Sequence, residues 1–362
     1  MIPYENLKTL NTPFESQLKT KFADFLDSGW YILGQEVKYF EQEFADYHQE
    51  KFVVGVANGL DALILSLRCG NFKRGDEVIV PSNTYIATIL AIIHCDLVPV
   101  LVEPDSRTYN INPERISDAL TSKTVAIMVV HLYGQCCEMD PILSIAKSNN
   151  LKIIEDCAQA HGAQYKNRLA GTFGDFGAFS FYPTKNLGCL GDGGAIICKN
   201  ESDYHQLLQL RNYGSDRKYH NEVIGYNSRL DELQASFLRI KLPHLDQINS
   251  HKRNLAAIYN ENLKDIFIQP VEHADFYHVY HIYNILHPER DRLKQYLADH
   301  QINTEIHYPV SPQDQHALKG YLKSYDYPIA KNIHQTTLSL PCSFAHTADQ
   351  IKHVCDIINN FI

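Results

Sequence analysis

The sequence lacks long apolar runs and paired cysteine motifs. Its first residues, MIPYENLKTL, contain no basic stretch followed by an apolar run, and patches such as IATILAII are too short to span a bilayer. The nine cysteines include no CxxC spacing, so neither a disulfide framework nor a zinc ribbon is expected. We therefore expect a cytoplasmic protein without a metal site or membrane partner, with most cysteines buried as small apolar side chains.

Positive charge is also scarce. The chain has 33 Lys and Arg against 42 Asp and Glu, which gives a formal net charge of -9, and it has no basic run. Such a chain repels polyanions, so we expect no nucleic-acid partner. A small anion needs only a local cluster, and Arg211, Arg217, Lys218 and His220 in RNYGSDRKYH offer one. A solvated basic loop is the alternative interpretation.

The composition and the apolar pattern predict a two-domain α/β protein. The chain has 362 residues, of which 44% are hydrophobic and 21% charged, enough to bury a large core. Helical patterns alternate with short apolar runs, namely KFVVGV, DEVIVPS, VPVLVEP, TVAIMVVHLYG, LKIIEDC, AFSFYP and GGAIICK. This alternation predicts a mostly parallel sheet with helices on both faces. We place the large domain at 1–240 and a smaller C-terminal α+β domain at 241–362.

Ligands of parallel sheets bind at the carboxyl ends of the strands, so residues after each strand are candidates. Gly59 and Leu60 follow KFVVGV and open a helix, where backbone N–H groups can bind an anion at the positive end of the helix dipole. A purely structural glycine in the turn is the alternative. No GKS or GKT follows, which excludes a Walker loop.

Two carboxylates end the strand LKIIEDC. Glu155 and Asp156 are adjacent, so they point to opposite faces of the strand and only one of them can face a site at this edge. A carboxylate at the end of an apolar strand is costly unless a cation meets it. A helix cap or a structural salt bridge remains open for either residue.

Lys185 is a lone cation among aromatic and turn-forming residues in SFYPTKNLG. Burial beside Phe181, Tyr182 and Pro183 would lower the lysine pKa, and a neutral amine can attack a carbonyl carbon. The lysine could instead extend to water. An acid at a strand end, a lysine in a later turn and a helix N-terminus are together the three contacts that pyridoxal 5'-phosphate requires.

Ten segments in order then resemble the DegT/DnrJ family of fold-type I, pyridoxal-phosphate-dependent nucleotide-sugar aminotransferases. They are WYILGQEVKYFEQEFA, NGLDAL, GDEVIVPSNTYIAT, VVHLYGQ, EDCAQAHGA, GDFGAFSFYPTKNLG, GDGGAI, NYGS, GYNSRLDELQA and IHYP. The likeness runs nearly end to end. Related dehydratases lack a lysine at the position of Lys185, so its presence favours transamination.

The resemblance implies roles for individual residues. Lys185 would bind the cofactor aldehyde covalently and Asp156 would pair with the pyridine nitrogen. The remaining cofactor contacts would be Gln159 to the ring hydroxyl, Tyr85 stacked on the ring, and Gly59, Leu60 and Ser180 on the phosphate, together with Asn227 of a neighbouring subunit. That last contact implies a homodimer with shared active sites. Leu60 replaces the hydroxyl residue of many relatives, so only its main chain is assigned.

The resemblance also implies the substrates. The YILG and NGLDAL segments are most like enzymes that aminate C3 of a dTDP-linked 3-keto-6-deoxyhexose, with L-glutamate as donor and 2-oxoglutarate as product. Such enzymes usually serve surface polysaccharide assembly, for example of the O-antigen in lipopolysaccharide. Substrate contacts are predicted for Tyr182, Arg217, Lys218, His220, His307 and Tyr308.

Three other functions stay open. A 4-keto-sugar aminotransferase of the same family is one, although such enzymes more often carry a T-x-GP turn. A non-catalytic cofactor-binding regulator would need a DNA-binding module, and no basic helix-turn-helix pattern is evident. An NAD-dependent sugar oxidoreductase would need GxGxxG after the first strand, which is absent, while GDGGAI lies late and precedes a strand.

Overall fold

Residues 1–323 and 325–361 are described by a computed structural model of the chain. In this part of the chain the helices are α1 (Leu7–Asn11), α2 (Glu15–Ser28), α3 (Gln35–His48), α4 (Gly59–Cys69), α5 (Ile86–His94), α6 (Pro113–Ala119), α7 (Met139–Asn149), α8 (Glu201–Leu210), α9 (Glu232–Lys241), α10 (Leu245–Asn262), α11 (Arg290–Asp299), α12 (Pro328–Thr336) and α13 (Ala348–Ile358). None of these described helices combines the length and the apolar character needed to cross a membrane.

The strands of the same residues are β1 (Phe52–Val56), β2 (Glu77–Pro81), β3 (Val98–Val102), β4 (Thr124–Val130), β5 (Lys152–Asp156), β6 (Gln164–Tyr165), β7 (Arg168–Leu169), β8 (Phe176–Ser180), β9 (Gly194–Cys198), β10 (Ser215–Arg217), β11 (His220–Asn221), β12 (Phe276–Tyr277), β13 (Tyr283–Leu286) and β14 (Thr337–Leu340). All seven apolar runs of the sequence form strands, as predicted.

Seven strands form the central sheet in the order β1-β9-β8-β5-β4-β2-β3. Strand β9 is antiparallel to both of its neighbours, β1 and β8, whereas the pairs from β8 to β3 are parallel. Because β9 is antiparallel to both of its neighbours, β1 runs in the same direction as β8 and β5. The sheet is therefore mostly parallel, as predicted, and six of its strands end at the same edge.

Apolar side chains cover both faces of this sheet. Alternate residues of β1 show the division, because Val53 belongs to the core under α3 and Val54 to the core under α4. A third core joins Ile2 to apolar residues between 255 and 361. The boundary placed after residue 240 stays a prediction. All nine cysteines are buried with free thiols, and burial is what the sequence predicts for most of them.

Glu232, in the first turn of α9, holds the YILG segment in place. Its carboxylate accepts hydrogen bonds from the backbone N–H groups of Gly34 at 2.7 Å, Glu36 at 2.9 Å and Val37 at 3.0 Å. These N–H groups lie at the start of α3, where the helix itself supplies no acceptor. A side chain 195 residues away thus caps α3.

The side chain of Glu155 connects β5 to neighbouring segments of the chain through hydrogen bonds. Its fully buried carboxylate accepts from the backbone N–H groups of Gly171 at 2.8 Å, Phe173 at 2.7 Å and Gly174 at 2.7 Å, and it lies 2.9 Å from His131 Nε2. Burial alone would raise the pKa of this carboxyl, but the hydrogen bonds from His131 and the backbone lower it below its ordinary value. Glu155 is therefore the structural member of the adjacent acidic pair.

We expect Glu155→Gln to lower the free energy of unfolding at pH 7 by about 3 kcal/mol, because its amide would turn N–H groups toward buried donors. The native pKa of Glu155 is depressed, so its contribution is present above the unfolded pKa and is lost as the pH falls through the native value. Urea unfolding followed by circular dichroism at pH 7 and below pH 4 measures both effects. The exposed Glu261→Gln is the matched control, and an equal difference at both pH values would contradict this account.

Candidate active site

The carboxyl edge of the sheet brings the predicted residues together. Gly59 follows β1 and Ser180 ends β8, and these two strands run in the same direction on either side of β9. A Cβ atom added to Gly59 would lie 2.6 Å from Ser180 Cβ. Only glycine permits this approach, so the position requires the residue that the sequence places there.

The N-terminus of α4 presents backbone donors at this point. The side chain of Asn58 caps the helix and accepts from the N–H of Asp61 at 2.8 Å. The N–H groups of Gly59 and Leu60 come earlier, where the helix provides no acceptor. Together with the Ser180 hydroxyl they form an arrangement suited to a phosphate group.

Asp156 ends β5 and is only 6% exposed. Its carboxylate accepts from Thr88 Oγ1 at 2.8 Å and from the backbone N–H of Ala158 at 3.1 Å, and no described residue forms a salt bridge with it. Burial raises the pKa of Asp156, and these hydrogen bonds oppose the rise only in part. A cationic ligand atom would therefore be stabilised here.

The sequence analysis missed Thr88. This residue lies in the first half of α5, whose other residues are apolar except His94, and its hydroxyl is also 2.8 Å from that of Thr84. Two hydroxyls one helical turn apart beside an apolar face were the available signal. The pair connects α5 to the carboxylate of Asp156.

Lys185 lies in the turn after β8, and its backbone N–H donates to the carbonyl of Tyr182 at 2.9 Å. Burial lowers the pKa of its amino group to about 8, and the negative charge of Asp156 opposes this shift. The Nζ atom lies 3.5 Å from Nε2 of His281, a residue that the sequence analysis did not single out. A substantial fraction of the amine is thus neutral near physiological pH.

Two tyrosines and one glutamine contact one another at the site. Tyr85, 51% exposed at the start of α5, places its ring centroid 4.9 Å from that of Tyr308. Gln159 Nε2 donates to the Tyr308 hydroxyl at 2.9 Å, and Gln159 Oε1 accepts from the backbone N–H of Tyr133 at 2.6 Å. The predicted residues Tyr85, Gln159 and Tyr308 therefore form one cluster.

His307 lies beside this cluster. Its Nδ1 is 2.9 Å from Ser339 Oγ, and its carbonyl accepts from the Tyr133 hydroxyl. Burial, with the positive charge of Lys185, lowers the pKa of His307 to about 4. The imidazole is therefore neutral near pH 7 and can serve as a hydrogen-bonding group for a substrate.

The predicted basic cluster divides into two parts. Arg217, Lys218 and His220 lie on the exposed β10–β11 hairpin, and no hydrogen bond or ion pair among the described residues joins them to the site. Arg211 does not belong with them. It is buried, forms an ion pair with Glu41 and donates to the carbonyl of a β1 residue at 3.0 Å, so including it in an anion-binding loop was wrong.

Two predicted contacts face outward. Asn227 is exposed beside the hairpin, and Tyr182 is 53% exposed next to the lysine turn. Inside the protein, His161 is buried with its ring centroid 5.5 Å from that of Phe179 and 5.7 Å from that of Phe181. It packs behind the site rather than lining its open side.

One group of described residues, His131, Glu155 and Cys157, has potential ligand atoms within 4.8 Å of one another. These atoms are engaged elsewhere. The carboxylate of Glu155 accepts three backbone N–H groups, and the Cys157 thiol donates to the carbonyl of Glu155 at 3.7 Å. The group is explained by the hydrogen bonds that tie β5 to the loop after β7.

We expect the amino group of Lys185 to titrate with a depressed pKa. In the cofactor-free chain, its labelling by trace acetic anhydride should reach half of its maximum near pH 8, because burial disfavours the ammonium. The peptide that contains Lys185 is quantified by mass spectrometry. Exposed Lys331 provides the internal reference, and an identical midpoint for both lysines would contradict the site geometry.

Comparison with known proteins finds relatives that match nearly the whole chain. A curated transaminase from Aneurinibacillus thermoaerophilus, named for dTDP-3-amino-3,6-dideoxy-alpha-D-galactopyranose, is 49% identical over 362 residues, which cover 100% of this chain and 99% of the relative. The crystal structure of S. venezuelae DesV in complex with a ketimine intermediate has a TM-score of 0.96 and 41% identity, with 99% of this chain and 97% of that chain covered.

A third match is the crystal structure of NtdA from Bacillus subtilis with bound cofactor PMP. It has a TM-score of 0.92 and 28% identity, and it covers 99% of this chain and 84% of that chain. The family model for DegT/DnrJ/EryC1/StrS aminotransferases matches residues 14–359. The chain therefore belongs to the DegT/DnrJ/EryC1/StrS aminotransferase family.

Proposed function

We propose that the protein transfers an amino group to a nucleotide-linked keto-sugar with pyridoxal 5'-phosphate as cofactor. The substrate we infer is a dTDP-3-keto-6-deoxyhexose, which becomes the 3-amino-3,6-dideoxyhexose, and L-glutamate is the donor. One observation carries the proposal. Three groups share one edge of the sheet: the desolvated amine of Lys185, the helix N-terminus at Gly59, and the buried carboxylate of Asp156, which has no salt-bridge partner among the described residues.

The residues fit this cofactor. Asp156 offers a buried carboxylate to a protonated ring nitrogen, and Lys185 offers an amine to the aldehyde. The phosphate would take the N–H groups of Gly59 and Leu60 and the Ser180 hydroxyl, in the cradle that a Cβ at Gly59 would fill. When bound, pyridoxal phosphate supplies the carbonyl that accepts the amino group and a ring that delocalises electrons.

The protein's own residues would hold and move the protons. The carboxylate of Asp156, kept in place by Thr88 and the Ala158 N–H, would keep the ring nitrogen protonated. Once displaced by the donor amine, Lys185 would take a proton from the substrate carbon and return it, because its pKa near 8 allows both base and acid roles. Gln159 would orient the ring through its hydroxyl, and Tyr85 would cover one face.

The 3-keto position is supported by the relatives. The transaminase from Aneurinibacillus thermoaerophilus carries position 3 in its name and matches over the whole chain. Amination at C4, by a 4-keto-sugar aminotransferase of the same family, is the second candidate. Sugar stereochemistry, the nucleotide and the O-antigen setting are proposed on the same resemblance.

The other two functions have less support. A non-catalytic cofactor-binding regulator would use the same lysine and carboxylate, but it would also need a DNA-binding module, and the sequence shows no basic helix-turn-helix pattern. An NAD-dependent oxidoreductase would need the Gly-rich turn after β1, where the chain reads ANGLDAL instead. The cytoplasmic location stays a prediction from the sequence.

We also propose a homodimer. Five large apolar side chains of α2 and the following segment are at least 40% exposed, namely Phe22, Leu26, Trp30, Tyr31 and Ile32. On the hairpin side, Ile224 is 95% exposed and Tyr219 is 87% exposed. Apolar patches of this kind are typical of protein interfaces. A second copy covering them could bring Asn227 and the hairpin cations to its neighbour's phosphate and pyrophosphate sites.

Lys185→Ala should lower turnover of glutamate with the keto-sugar by about 10⁴-fold, because it removes both the covalent partner and the proton carrier. The wild-type protein should be yellow, and borohydride should bleach it and attach the label to Lys185. Lys331→Ala is the control for loss of a lysine. Wild-type turnover in Lys185→Ala would reject the mechanism.

Paired assays decide the substrate. Glutamate is supplied with nucleotide-linked 3-keto and 4-keto hexoses, and NMR reads the position of the new amino group. We expect amination at C3, because the chain matches a 3-amino-sugar transaminase over its whole length. Amination at C4 alone would replace the 3-keto assignment, while NAD reduction without amino transfer would replace the transaminase assignment.

Shared active sites predict complementation between subunits. The double variant R217E/K218E should bind the nucleotide sugar poorly, and Lys185→Ala should be inactive. Refolding the two together should restore activity to about a quarter of wild type, since half of the dimers are mixed and each contains one complete site. Failure to recover any activity would place the hairpin in its own subunit's site.

A further inference from the structure

The HVYH segment, residues 278–281, is fixed against the lysine turn. Asn186, next to Lys185, donates through Nδ2 to the carbonyl of Val279 at 3.0 Å. The N–H of Val279 donates to the carbonyl of Gly134 at 2.9 Å. These hydrogen bonds fix the distance between the HVYH segment and the lysine turn, and therefore how closely their side chains can approach one another.

His281 is anchored in the same way. Its own carbonyl accepts from Lys252 Nζ at 3.2 Å, and the next residue, Ile282, donates its N–H to the carbonyl of Tyr133 at 3.2 Å. A Cβ on Gly134 would lie 2.8 Å from the His281 nitrogen, so the backbone is also confined sterically. In this backbone position the ring places Nε2 3.5 Å from Lys185 Nζ.

The surroundings of the ring keep it neutral. Its Nδ1 atom is buried and has no hydrogen-bond partner among the described residues. The titratable groups that face it are Lys185, Lys252, His307 and His161, all of which are cationic when protonated. A proton added to His281 would be buried beside positive charge, and no described carboxylate contacts the ring to compensate.

The direction of the hydrogen bond depends on the protonation state of Lys185. An ammonium group has only donors, so Nε2 can pair with it only as an acceptor. A neutral amine can also donate an N–H to the same lone pair. The acceptor arrangement therefore serves both protonation states of Lys185, whereas a donating Nε2–H would serve only the neutral one.

We propose that His281 is a positioning residue whose neutral imidazole accepts a hydrogen bond from the free amino group of Lys185 and holds it in reach of the reacting carbon. This role of His281 rests on the proposed function, since a transaminase releases and regains the Lys185 amine in each catalytic cycle. The geometric evidence for it is the contact between Lys185 and His281. His281 would set the direction in which the amine presents its lone pair.

The test is the titration of Lys185 in the cofactor-free full-length chain, by trace acetic anhydride labelling. His281→Phe removes the acceptor from the ammonium form and should lower the labelling midpoint by about one pH unit, the size of one net hydrogen bond. His281→Gln, whose amide oxygen can reach the Nε2 position, should restore the wild-type midpoint. His281→Asn carries its amide nearer the Nδ1 position and should behave like His281→Phe.

The matched control is His278→Phe. His278 is a buried histidine of the same segment, and it uses Nδ1 to accept from the Tyr280 N–H at 2.9 Å and stacks on that ring with centroids 3.9 Å apart. Its loss should leave the Lys185 midpoint unchanged. Circular dichroism checks folding, and if His281→Phe fails to fold, the comparison of His281→Gln with His281→Asn decides.

Two results in His281→Phe would overturn the proposal. An unchanged midpoint would mean that the contact does not stabilise the ammonium form of Lys185. An upward shift would mean that Nε2–H donates to the neutral amine instead of accepting from it. In the holoenzyme we expect His281→Phe to lower kcat about tenfold with little change in KM for the keto-sugar, since positioning affects the proton step. A chain without transaminase activity would reject the proposed function, while the midpoint would still report on His281.

Discussion

The fold buries the carboxylate of Asp156 at a cost in desolvation free energy. It is buried at the end of β5, and two neutral donors, Thr88 and the Ala158 N–H, compensate it only in part, so burial leaves its pKa raised. A cation that enters this site would compensate a buried negative charge. The lysine turn, the helix N-terminus at Gly59 and the aromatic cluster are all arranged around the space beside this carboxylate.

The neighbouring carboxylate shows what full compensation looks like. Glu155, one residue earlier, points to the opposite face of β5, where three backbone N–H groups and His131 contact it. Its pKa shifts downward and that of Asp156 shifts upward, although both side chains are buried. Strand alternation therefore assigns one carboxylate to the fold and the other to the site.

The lysine side of the site depends on contacts between distant segments. Lys185 is desolvated by the chain around it, and its amine faces an imidazole that is 96 residues away in sequence. Asn186 fastens the two segments together. The amine is thus weakly basic and directionally constrained at once, a combination that proton transfer at a substrate carbon requires.

Local periodicity predicts the apolar strands, and ordered motifs such as EDCAQAHGA and SFYPTKNLG point to the strand-end residues. The reversal of β9, the pairing of Arg211 with Glu41, and the contacts of Thr88 with Asp156 and of His281 with Lys185 become visible only in the folded chain. Strand direction and side-chain pairing depend on which segments meet in space. Residues 68 or 96 positions apart meet only in the folded chain, so local patterns do not say which of them pair.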